Sequence, residues 1–495
     1  MIDSLREMCS FSARPKASRT LTTRCRANKR RARWSLERAG TWLGRGWDVA
    51  GTGWVIAVAI AELLVCGLEC NWGESGEAKM FVRSGVRGVV VRDSVSVAVL
   101  IVLGWCVGYG SASAAAPSSW PGWRGPRGDG HSVETNLPIR WSKDSVAWSV
   151  ALPGHGQSSA TIWGERVFLT ASLASGKQRV VLCVDRTTHK IVWQHTAFTG
   201  PALPTHSMNG YASASCVTDG EFVYAFFGEG GGIHCYRVDG TPAWRKPIGA
   251  FDNRWGSASC PVLVGNSVIQ LVDSDNQAYI AAFDRKTGRQ LWRTDRDNFR
   301  GWSTPVLIRA GGHDELVVNG HAAVCAYDPS TGEELWRVKN ATGRGTPTVT
   351  PAGGLLFTSN GTRPYLTAIR PGGSGDVSAS HVAWQVQRMG RDIPSPIVIG
   401  DYVLIVGLRG GILGCYDTKT GKQLWLERLG TNFSASPVAW NGHAFFLNEA
   451  GETFVVKPGS RPEIVSRNRM EAPAEEIFRA SITPLDGRVY IRSNN

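Results

Sequence analysis

The sequence has 495 residues and a net charge of +13, and that charge is unevenly distributed. Residues 1–79 hold 13 basic and 8 acidic residues and residues 80–116 hold three and one, which leaves +6 for the rest of the chain. So small a basic excess over that length argues against a nucleic-acid partner. None of the 11 cysteines lies in a C-x-x-C or C-x-x-C-H arrangement, which excludes the common zinc-site and haem-attachment motifs.

Residues 80–116 have the layout of a secretory signal peptide. Three arginines precede an apolar stretch at residues 95–107, and small residues at 112–116 provide a cleavage site. The apolar stretch is short for a membrane span. We therefore predict a periplasmic or secreted protein with no stable membrane anchor in the mature chain.

The segment before this signal is rich in arginine. Because Met80 stands where the signal begins, we interpret residues 1–79 as disordered or as no part of the real protein. The alternative is a basic cytoplasmic tail with an apolar anchor at residues 54–68. Beyond the signal we predict a lead-in segment at 117–140 and a repeat domain at 141–495.

One ten-residue phrase occurs three times in the repeat domain, at residues 283–292, 327–336 and 416–425. Each copy reads aromatic, Asp, two variable residues, Thr, Gly, two variable residues, Leu and Trp. The Asp side chain can accept backbone N–H bonds, and Gly supplies the positive φ of a bulged hairpin, so the phrase predicts strand, turn, strand. The predicted turn residues are Asp284, Gly288, Asp328, Gly332, Asp417 and Gly421.

Looser copies of the phrase extend it into a series of tryptophans spaced 41 to 51 residues apart. One hairpin has no core of its own, whereas a Trp buries a large apolar surface, so each Trp is predicted to dock against a neighbouring repeat. A strand repeat of this length is typical of a propeller or a solenoid. The predicted docking residues are Trp148, Trp193, Trp244, Trp292, Trp336, Trp384 and Trp425.

A second phrase, rich in small residues, opens each repeat and occurs eight times between residues 157 and 483. Small residues suit inner strands that crowd around a central channel. Within one repeat, residues 395–429 contain four short apolar runs, and four strands per repeat make a propeller blade. We predict an all-β, eight-bladed propeller; seven blades are the alternative, because the last two units lack the Asp–Gly–Trp phrase.

The eighth repeat has room for only two strands after its opening phrase. Residues 141–151, which include Trp148, precede the first opening phrase and could supply its missing outer strand. Closing the last blade with an N-terminal strand would leave the ring without free edges. We therefore predict that the N-terminal strand closes the propeller. We also predict that the protein is a monomer.

These phrases resemble the repeats of the PQQ-like β-propeller family, most closely at residues 281–292 and 414–425. The resemblance covers residues 118–495 and implies the propeller fold. It leaves function open, because the family contains quinoprotein dehydrogenases as well as non-catalytic propellers such as the outer-membrane assembly factor BamB. A dehydrogenase of this family would be expected to carry adjacent cysteines, Ca²⁺ ligands and a general-base Asp.

The sequence contains no Cys–Cys pair, and we assign no catalytic, cofactor-binding or metal-binding residue. Five histidines are scattered over several repeats, and we interpret them as ordinary surface or core residues. The alternative is that they cluster at the mouth of the channel. They are His155, His206, His234, His313 and His321. A disulfide between Cys216 and Cys260, which we align at one inner-strand position of adjacent blades, is left open.

Three functions remain from these observations. The favoured one is an exported, non-catalytic scaffold that binds other envelope proteins and needs no cofactor. The first alternative is a dehydrogenase that uses PQQ with calcium. The second is a carbohydrate- or ligand-binding propeller, for which Trp255 and Trp302 would have to face solvent.

Overall fold

The computed structural model describes most of the chain after residue 117. The described residues are two short strands before that point and residues 118–251, 254–339, 343–360, 365–388, 393–473 and 475–495. The chain divides into two units, Met1–Ala114 and Ala115–Asn495. In the first unit, β1 (Glu69–Trp72) pairs antiparallel with β2 (Ala78–Phe81). Most of the Arg-rich extension and the predicted signal peptide, including its cleavage site, lies outside the described residues.

The second unit begins with four sheets that follow one another along the chain. Blade 1 contains β3 (Ser119–Trp120), β4 (Thr161–Trp163), β5 (Arg166–Leu173), β6 (Gln178–Asp185) and β7 (Lys190–Thr199). Blade 2 contains β8 (Val217–Thr218), β9 (Phe222–Phe226), β10 (Ile233–Arg237) and β11 (Pro242–Lys246). Blade 3 contains β12 (Val262–Val264), β13 (Ser267–Val272), β14 (Tyr279–Asp284) and β15 (Gln290–Asp295). Blade 4 contains β16 (Val306–Ala310), β17 (His313–Asn319), β18 (Ala323–Tyr327) and β19 (Glu334–Lys339).

Four further sheets complete the second unit. Blade 5 contains β20 (Thr350–Ala352), β21 (Leu355–Ser359), β22 (Tyr365–Ile369) and β24 (Val382–Gln387), and its β23 (Gly375–Asp376) joins the outer edge of blade 4. Blade 6 contains β25 (Ile397–Ile399), β26 (Tyr402–Val406), β27 (Ile412–Asp417) and β28 (Gln423–Arg428). Blade 7 contains β29 (Val438–Trp440), β30 (His443–Leu447), β31 (Glu452–Lys457) and β32 (Glu463–Arg469), and blade 8 contains β33 (Thr483–Leu485) and β34 (Arg488–Tyr490).

Among the described residues, helical structure is confined to single turns. Two are of the 3₁₀ type, and two are helical turns that we label α1 and α2; they lie at Lys143–Ser145, Ala174–Gly176, Gly228–Gly231 (α1) and Ser378–His381 (α2). Among the described residues, no helix has the length and apolar character needed to span a bilayer. The prediction of an all-β propeller of four-stranded blades is confirmed.

Eight hydrogen bonds close the blades into a ring and explain why the opening phrases contain small residues. In each blade, one backbone N–H donates to the hydroxyl or thiol of the corresponding residue in the next blade, over 2.8–3.2 Å. In order around the ring, these residues are Ser159, Ser215, Cys260, Thr304, Thr348, Ser395, Ser436 and Ser481. The last N–H, from Ser481, returns to the Ser159 hydroxyl. We call these residues the inner ring, and its eight members fix eight blades rather than seven.

The apolar core is divided into layers between neighbouring blades. Phe168 and Val181 of blade 1, for example, are buried in one cluster with Val223 and Ala225 of blade 2. The strands that supply these residues carry apolar side chains on both faces, since each middle strand is covered by a blade on either side. The layers hold the blades rigidly around the channel.

Blade 8 differs from its prediction in one respect. The described residues 141–151 form no strand beside β34 and include a 3₁₀ turn. Asn468 of blade 7 bonds the chain where this segment begins: its Oδ1 accepts from Trp141 N at 3.2 Å and its Nδ2 donates to Ile139 O at 2.9 Å. The segment therefore packs on blade 8 through side chains, and the predicted ladder of an N-terminal strand is absent from this described segment.

Candidate functional site

The predicted docking tryptophans lie where one blade meets the next. Each of five indole N–H groups donates to a backbone carbonyl of the following blade over 2.8–3.1 Å. The pairs are Trp193 with Val238, Trp244 with Arg285, Trp292 with Pro329, Trp384 with Thr418 and Trp425 with Gly459. These five indoles therefore join each blade to the next.

The predicted turn residues lie beneath these rings. Asp284 Oδ1 accepts the backbone N–H groups of Lys286 and Thr287 at 3.1 and 2.9 Å, and Gly288 has φ +69°. Asp328 with Gly332, and Asp417 with Gly421, repeat this arrangement. A Cβ on Gly288 would lie 2.6 Å from the Trp244 ring, so the glycine serves both the turn and the close packing.

Two docking tryptophans depart from the common pattern. Trp336 is fully buried and donates to Glu315 Oε2 of its own blade at 2.8 Å. Trp148 lies in the N-terminal segment, where its ring stacks on His189 with centroids 4.9 Å apart. His189 occupies the glycine position of the blade 1 turn with φ +57°, so Trp148 stands in for the missing Trp of blade 8.

The cysteine alignment made from sequence was wrong by one residue. The inner ring places Cys260 opposite Ser215, whose N–H donates to Cys260 Sγ at 3.2 Å. Cys216 follows Ser215, and successive side chains of an extended strand point to opposite faces. Both thiols are free and buried, and burial raises the pKa of each.

The lead-in segment crosses the central channel, and we call residues 120–131 the plug. Trp120 pairs with β4 of blade 1, Pro121 O accepts from Thr218 N of blade 2 at 2.8 Å, and Ala439 N of blade 7 donates to Gly130 O at 2.8 Å. Since these contacts lie on separate sides of the ring, the plug must span the channel between them.

Arg124 anchors the plug beneath the inner ring. Its side chain is 1 % exposed, and Nη2 donates to Thr350 Oγ1 at 3.2 Å and to Pro396 O at 3.0 Å. Burial lowers the pKa of Arg124 to about 10, so the guanidinium remains charged at neutral pH. A buried charge held by several acceptors makes the plug costly to displace.

Trp123 divides the channel into two cavities. Its indole N–H donates to the Ser481 hydroxyl of the inner ring at 3.3 Å. On one side of Trp123 lies a cavity of about 440 Å³, which we call the cup. On the other side lies a cavity of about 650 Å³, which is lined mainly by the plug and the inner strands of blades 2 to 5. The cup therefore has Trp123 as its floor and opens to one face of the propeller.

Three arginines from three different blade loops line the cup, and we call Arg344, Arg409 and Arg479 the rim. Arg479 is neutralised in part by Glu449, whose Oε1 accepts from Nε at 3.0 Å. Among the described residues that line the cup, none is Asp or Glu. Arginines are therefore the charged side chains among the described residues that line the cup.

Both sequence-predicted candidate tryptophans lie in the cup wall, half-buried. Trp255 is covered on its ring by His206, at 4.5 Å between centroids, and by the guanidinium of Arg344 at 4.9 Å. Trp302 donates its indole N–H to Gly256 O at 2.7 Å. Because its ring is already covered, Trp255 is poorly placed to stack on a sugar.

The histidines do not form a cluster. Of the five, only His206 lines the cup. The other four have separate neighbours: His155 lies beside Asn495, His234 beside Gly231, His313 beside Glu315 and His321 beside Phe299. Within the described part of the chain, no group of three or more His, Cys, Asp or Glu side chains could hold a metal ion.

The rim and the plug were not identified from the sequence. Arg344 and Arg409 lie outside the repeated phrases, Arg479 is the first residue of the eighth opening phrase, and nothing in their spacing links the three. Trp123 was seen only as part of the lead-in. The signal that could have found the rim is the position of each arginine, in a loop that leads into or out of the inner strands.

Comparison with known proteins gives one family match. A family model described as outer membrane protein assembly factor BamB matches residues 138–277 and 276–494. No curated protein sequence matches at a significant level.

Three solved structures match this chain at low sequence identity. BamB from Moraxella catarrhalis is 16% identical, with 66% of this chain and 93% of that chain covered and a TM-score of 0.47. A europium-containing methanol dehydrogenase is 12% identical, with 69% and 90% covered and a TM-score of 0.40. The quinohemoprotein alcohol dehydrogenase from Comamonas testosteroni is 12% identical, with 68% and 77% covered and a TM-score of 0.38.

Proposed function

Because the chain belongs to the PQQ-like β-propeller family, we propose that it is an exported, non-catalytic propeller that acts as a protein-interaction scaffold in the bacterial cell envelope. The family description, an outer membrane protein assembly factor, gives this proposal its direction. Its location would be periplasmic or secreted, through the signal predicted at residues 80–116. Its partners would be other envelope proteins.

The observation that carries the proposal is the composition of the cup. A PQQ-dependent dehydrogenase needs carboxylates to hold Ca²⁺ and to act as general base. The described wall of the cup offers arginines, tryptophans and small hydroxyl residues but no Asp or Glu. Its one cysteine, Cys260, is a member of the inner ring and has no adjacent cysteine in the sequence. These residues do not fit PQQ with calcium.

The inner wall already has a structural task. Seven hydroxyls and one thiol accept the eight hydrogen bonds that close the ring, and the plug closes one end of the channel. Such a body presents rigid loops on a fixed frame, which is what a scaffold requires.

One experiment tests the scaffold against the dehydrogenase. The purified protein is mixed with PQQ and Ca²⁺ and passed through gel filtration, with a known quinoprotein apoenzyme as the matched control. We expect no quinone absorbance in the protein peak. Stoichiometric quinone that co-elutes with the protein would overturn the non-catalytic proposal.

A second experiment looks for the partners directly. The tagged protein is cross-linked in intact cells and recovered from the envelope fraction, and an unrelated tagged exported protein serves as control bait. We expect specific envelope proteins that, when tagged in turn, recover this chain. Failure of every reciprocal capture would contradict the scaffold function. N-terminal sequencing of the recovered protein tests cleavage after Ala114 or Ala116.

A further inference from the structure

We propose that Arg179 holds a chloride ion, or another monovalent anion of that size, in a small cavity between residues of blades 1, 2 and 3. The cavity lies beside the cup, and the site does not depend on the scaffold function proposed above. Three features carry the inference: a buried guanidinium without an acceptor, hydroxyl donors on the same cavity wall, and the size of the cavity.

Among the described residues, Arg179 is the one buried arginine whose side chain has no hydrogen-bond acceptor. It is 2 % exposed, and its Nε and Nη1 atoms are buried without a partner in that part of the chain. Each of the other buried arginines donates to a backbone oxygen; they are Arg124, Arg186, Arg388 and Arg492. A buried charge is costly unless it is paired and hydrogen-bonded, so Arg179 calls for a ligand that can do both.

Two aromatic rings cover the Arg179 guanidinium. Its Cζ lies 4.8 Å from the centre of the Phe198 ring and 5.3 Å from the centre of the Tyr211 ring. Such contacts stabilise a cation but supply no negative charge. Burial accordingly lowers the pKa of Arg179. The pKa of Arg296 is raised despite burial, because Asp273 lies 2.9 Å away.

The cavity beside Arg179 is lined by groups from three blades. Arg179 belongs to β6 of blade 1, Tyr211 begins the opening phrase of blade 2, and Ser257 is the second residue of the opening phrase of blade 3. Neither the Tyr211 hydroxyl nor the Ser257 hydroxyl forms a hydrogen bond with another described residue. Both protons therefore remain to be donated, and a guanidinium with two hydroxyls is a donor set for an anion.

The size of the cavity limits the ligand to a single small ion. Its volume is about 30 Å³. Since one water needs about 10–15 Å³ of such space, the cavity admits two waters or one monatomic anion and excludes a sugar, a nucleotide or a peptide. Water could accept the free N–H groups but would leave the charge unpaired, whereas an anion meets both needs.

One carboxylate, that of Glu229, lines the same cavity. Glu229 is half-buried and has a partner of its own, and it forms no ion pair with Arg179. Its charge lowers the affinity for any anion, and it opposes a divalent anion about twice as strongly as a monovalent one. The site should therefore favour chloride over sulfate.

A bound anion would fasten the wall of the cup. Ser213 lines both the cavity and the cup, and its hydroxyl donates to Gln157 Oε1 at 3.2 Å. An ion held by Arg179, Tyr211 and Ser257 would join the three blades at this point. Because the unfolded chain does not organise these donors, the ion would also stabilise the folded state.

Thermal melts of the whole protein test the site, with chloride replaced stepwise by gluconate at constant pH and ionic strength. Gluconate is too large for the cavity, and the screening of surface charges stays the same. We expect the melting temperature to rise with chloride by about 2 °C or more and then to level off. A melting temperature that is independent of chloride would show that the cavity holds only water, and the proposal would fall.

Replacing the arginine locates the ion. Arg179→Met keeps a long side chain between the two rings but removes the charge. This variant should lose the chloride dependence and, in gluconate, melt no lower than the unchanged protein. Arg245→Met makes the same change at an exposed position of blade 2 and should keep the dependence. Since all three proteins meet the same salts, general salt effects cancel, and a dependence retained in Arg179→Met would refute the site.

Tyr211→Phe separates anion binding from a purely structural role of Arg179. It keeps the ring on the guanidinium but removes one donor, so chloride should bind about tenfold more weakly, while the melting temperature in gluconate stays unchanged. Line broadening in chlorine NMR measures the affinity, and bromide should compete. Unchanged chloride affinity in this variant would contradict the assigned donor set.

Two further variants distinguish other sources of a salt effect. If the chloride dependence appears only in Glu229→Gln, then Glu229 supplies the negative charge in the unchanged protein and the proposal is wrong. If Arg409→Met removes the dependence and Arg179→Met does not, the anion binds at the rim of the cup. The proposal requires the dependence to survive in both Glu229→Gln and Arg409→Met.

Discussion

At the residue scale, individual side chains combine burial with a specific polar contact. Trp336 shows this best: it is fully buried, and its indole N–H is the hydrogen-bond partner of Glu315 Oε2, a carboxylate that is itself 0 % exposed. Such a pair is sensitive to removal of either member, because a buried acceptor that loses its donor keeps its full desolvation cost.

Replacing Trp336 separates packing from hydrogen bonding. Trp336→Ala should lower the free energy of unfolding by about 3–5 kcal/mol, the range for deleting a large buried aromatic side chain. Trp336→Phe keeps most of the volume but removes the donor to Glu315 and should cost about 1–3 kcal/mol. Urea unfolding measures both. A loss of unfolding free energy below about 1 kcal/mol for each variant would contradict the burial of Trp336. Val192→Ala, at an exposed position, is the control.

Gly332 carries two constraints at one position. Its φ is +77°, and an added Cβ would collide with the Trp292 ring of the preceding blade. Gly332→Val should therefore destabilise the protein by about 2 kcal/mol or more, since a β-branched residue resists positive φ. Gly459→Ala, where an added Cβ meets only Arg461 O at 3.8 Å and φ is not positive, should change the melting temperature little.

At the element scale, the recurring unit is a turn whose Asp is ionised in the folded state. The hydroxyl of Thr287 and backbone N–H groups lower the pKa of Asp284; Ser330 does the same for Asp328, and Thr420 for Asp417. Each carboxylate binds donors that the unfolded chain does not organise. The turn therefore links the stability of every such blade to pH.

The sign of this linkage follows from the direction of the shifts. A carboxyl group whose pKa is lower in the folded state stabilises that state above its unfolded pKa of about 3.9, and the stabilisation is lost as pH falls through the folded value. Melting temperature should therefore fall from pH 5 toward pH 2. The triple replacement Asp284→Asn, Asp328→Asn and Asp417→Asn should flatten this dependence. An unchanged slope would show that these turns are not its source.

The inner ring offers a test in which one atom is changed. Cys260 Sγ accepts the buried Ser215 N–H, so Cys260→Ser supplies a hydroxyl in the same place and should be tolerated. Cys260→Ala leaves that N–H without an acceptor and should cost about 1–3 kcal/mol. Chemical unfolding of the two variants gives the comparison. Equal stability would mean that the ring hydrogen bond contributes nothing.

At the scale of the whole molecule, residues from both ends of the repeat region close the propeller. The last inner-ring bond joins Ser481 to Ser159, and Gly156 N donates to Asn494 O at 2.9 Å. The buried Arg492 donates to Ser158 O at 3.1 Å. Trp148 adds its stacking on His189 and an edge contact with Tyr490. Both ends are therefore tied to blade 1, and removing either should affect the whole ring.

Truncation of the N-terminal segment should act out of proportion to its length. A chain that begins at residue 152 lacks β3, the plug and Trp148, whereas one that begins at residue 118 keeps all three. We expect the shorter chain to melt several degrees lower and to form aggregates, because it exposes the edge of β34 and opens the channel. Melting curves and gel filtration decide this. If the shorter chain stays monomeric and melts within a degree or two, the segment closes nothing.

Much of the architecture could be read from the sequence because it depends on local chemistry repeated many times. Asp284 with Gly288 makes the same turn wherever the phrase occurs, and the small residues of the opening phrases became the inner ring. Local patterns did not fix how 141–151 would pair, since Asn468, distant in sequence, bonds the chain at Ile139 and Trp141 where this segment begins. Nor did local patterns fix which residue of blade 2 lies opposite Cys260. An error of one residue in this alignment moves a side chain to the other face of the strand.

The candidate site was decided by tertiary structure alone. The cup exists only when the ring closes, because its floor comes from Trp123 at one end of the repeat region and part of its rim from Arg479 at the other. Trp123 belongs to no repeated phrase, and Arg479 is a variable first residue of the last opening phrase, so periodicity gives no signal for either. The sequence determined that eight similar blades form around a channel; the closed ring and the plug determined that Trp123 divides this channel and that three arginines from separate loops line the cup.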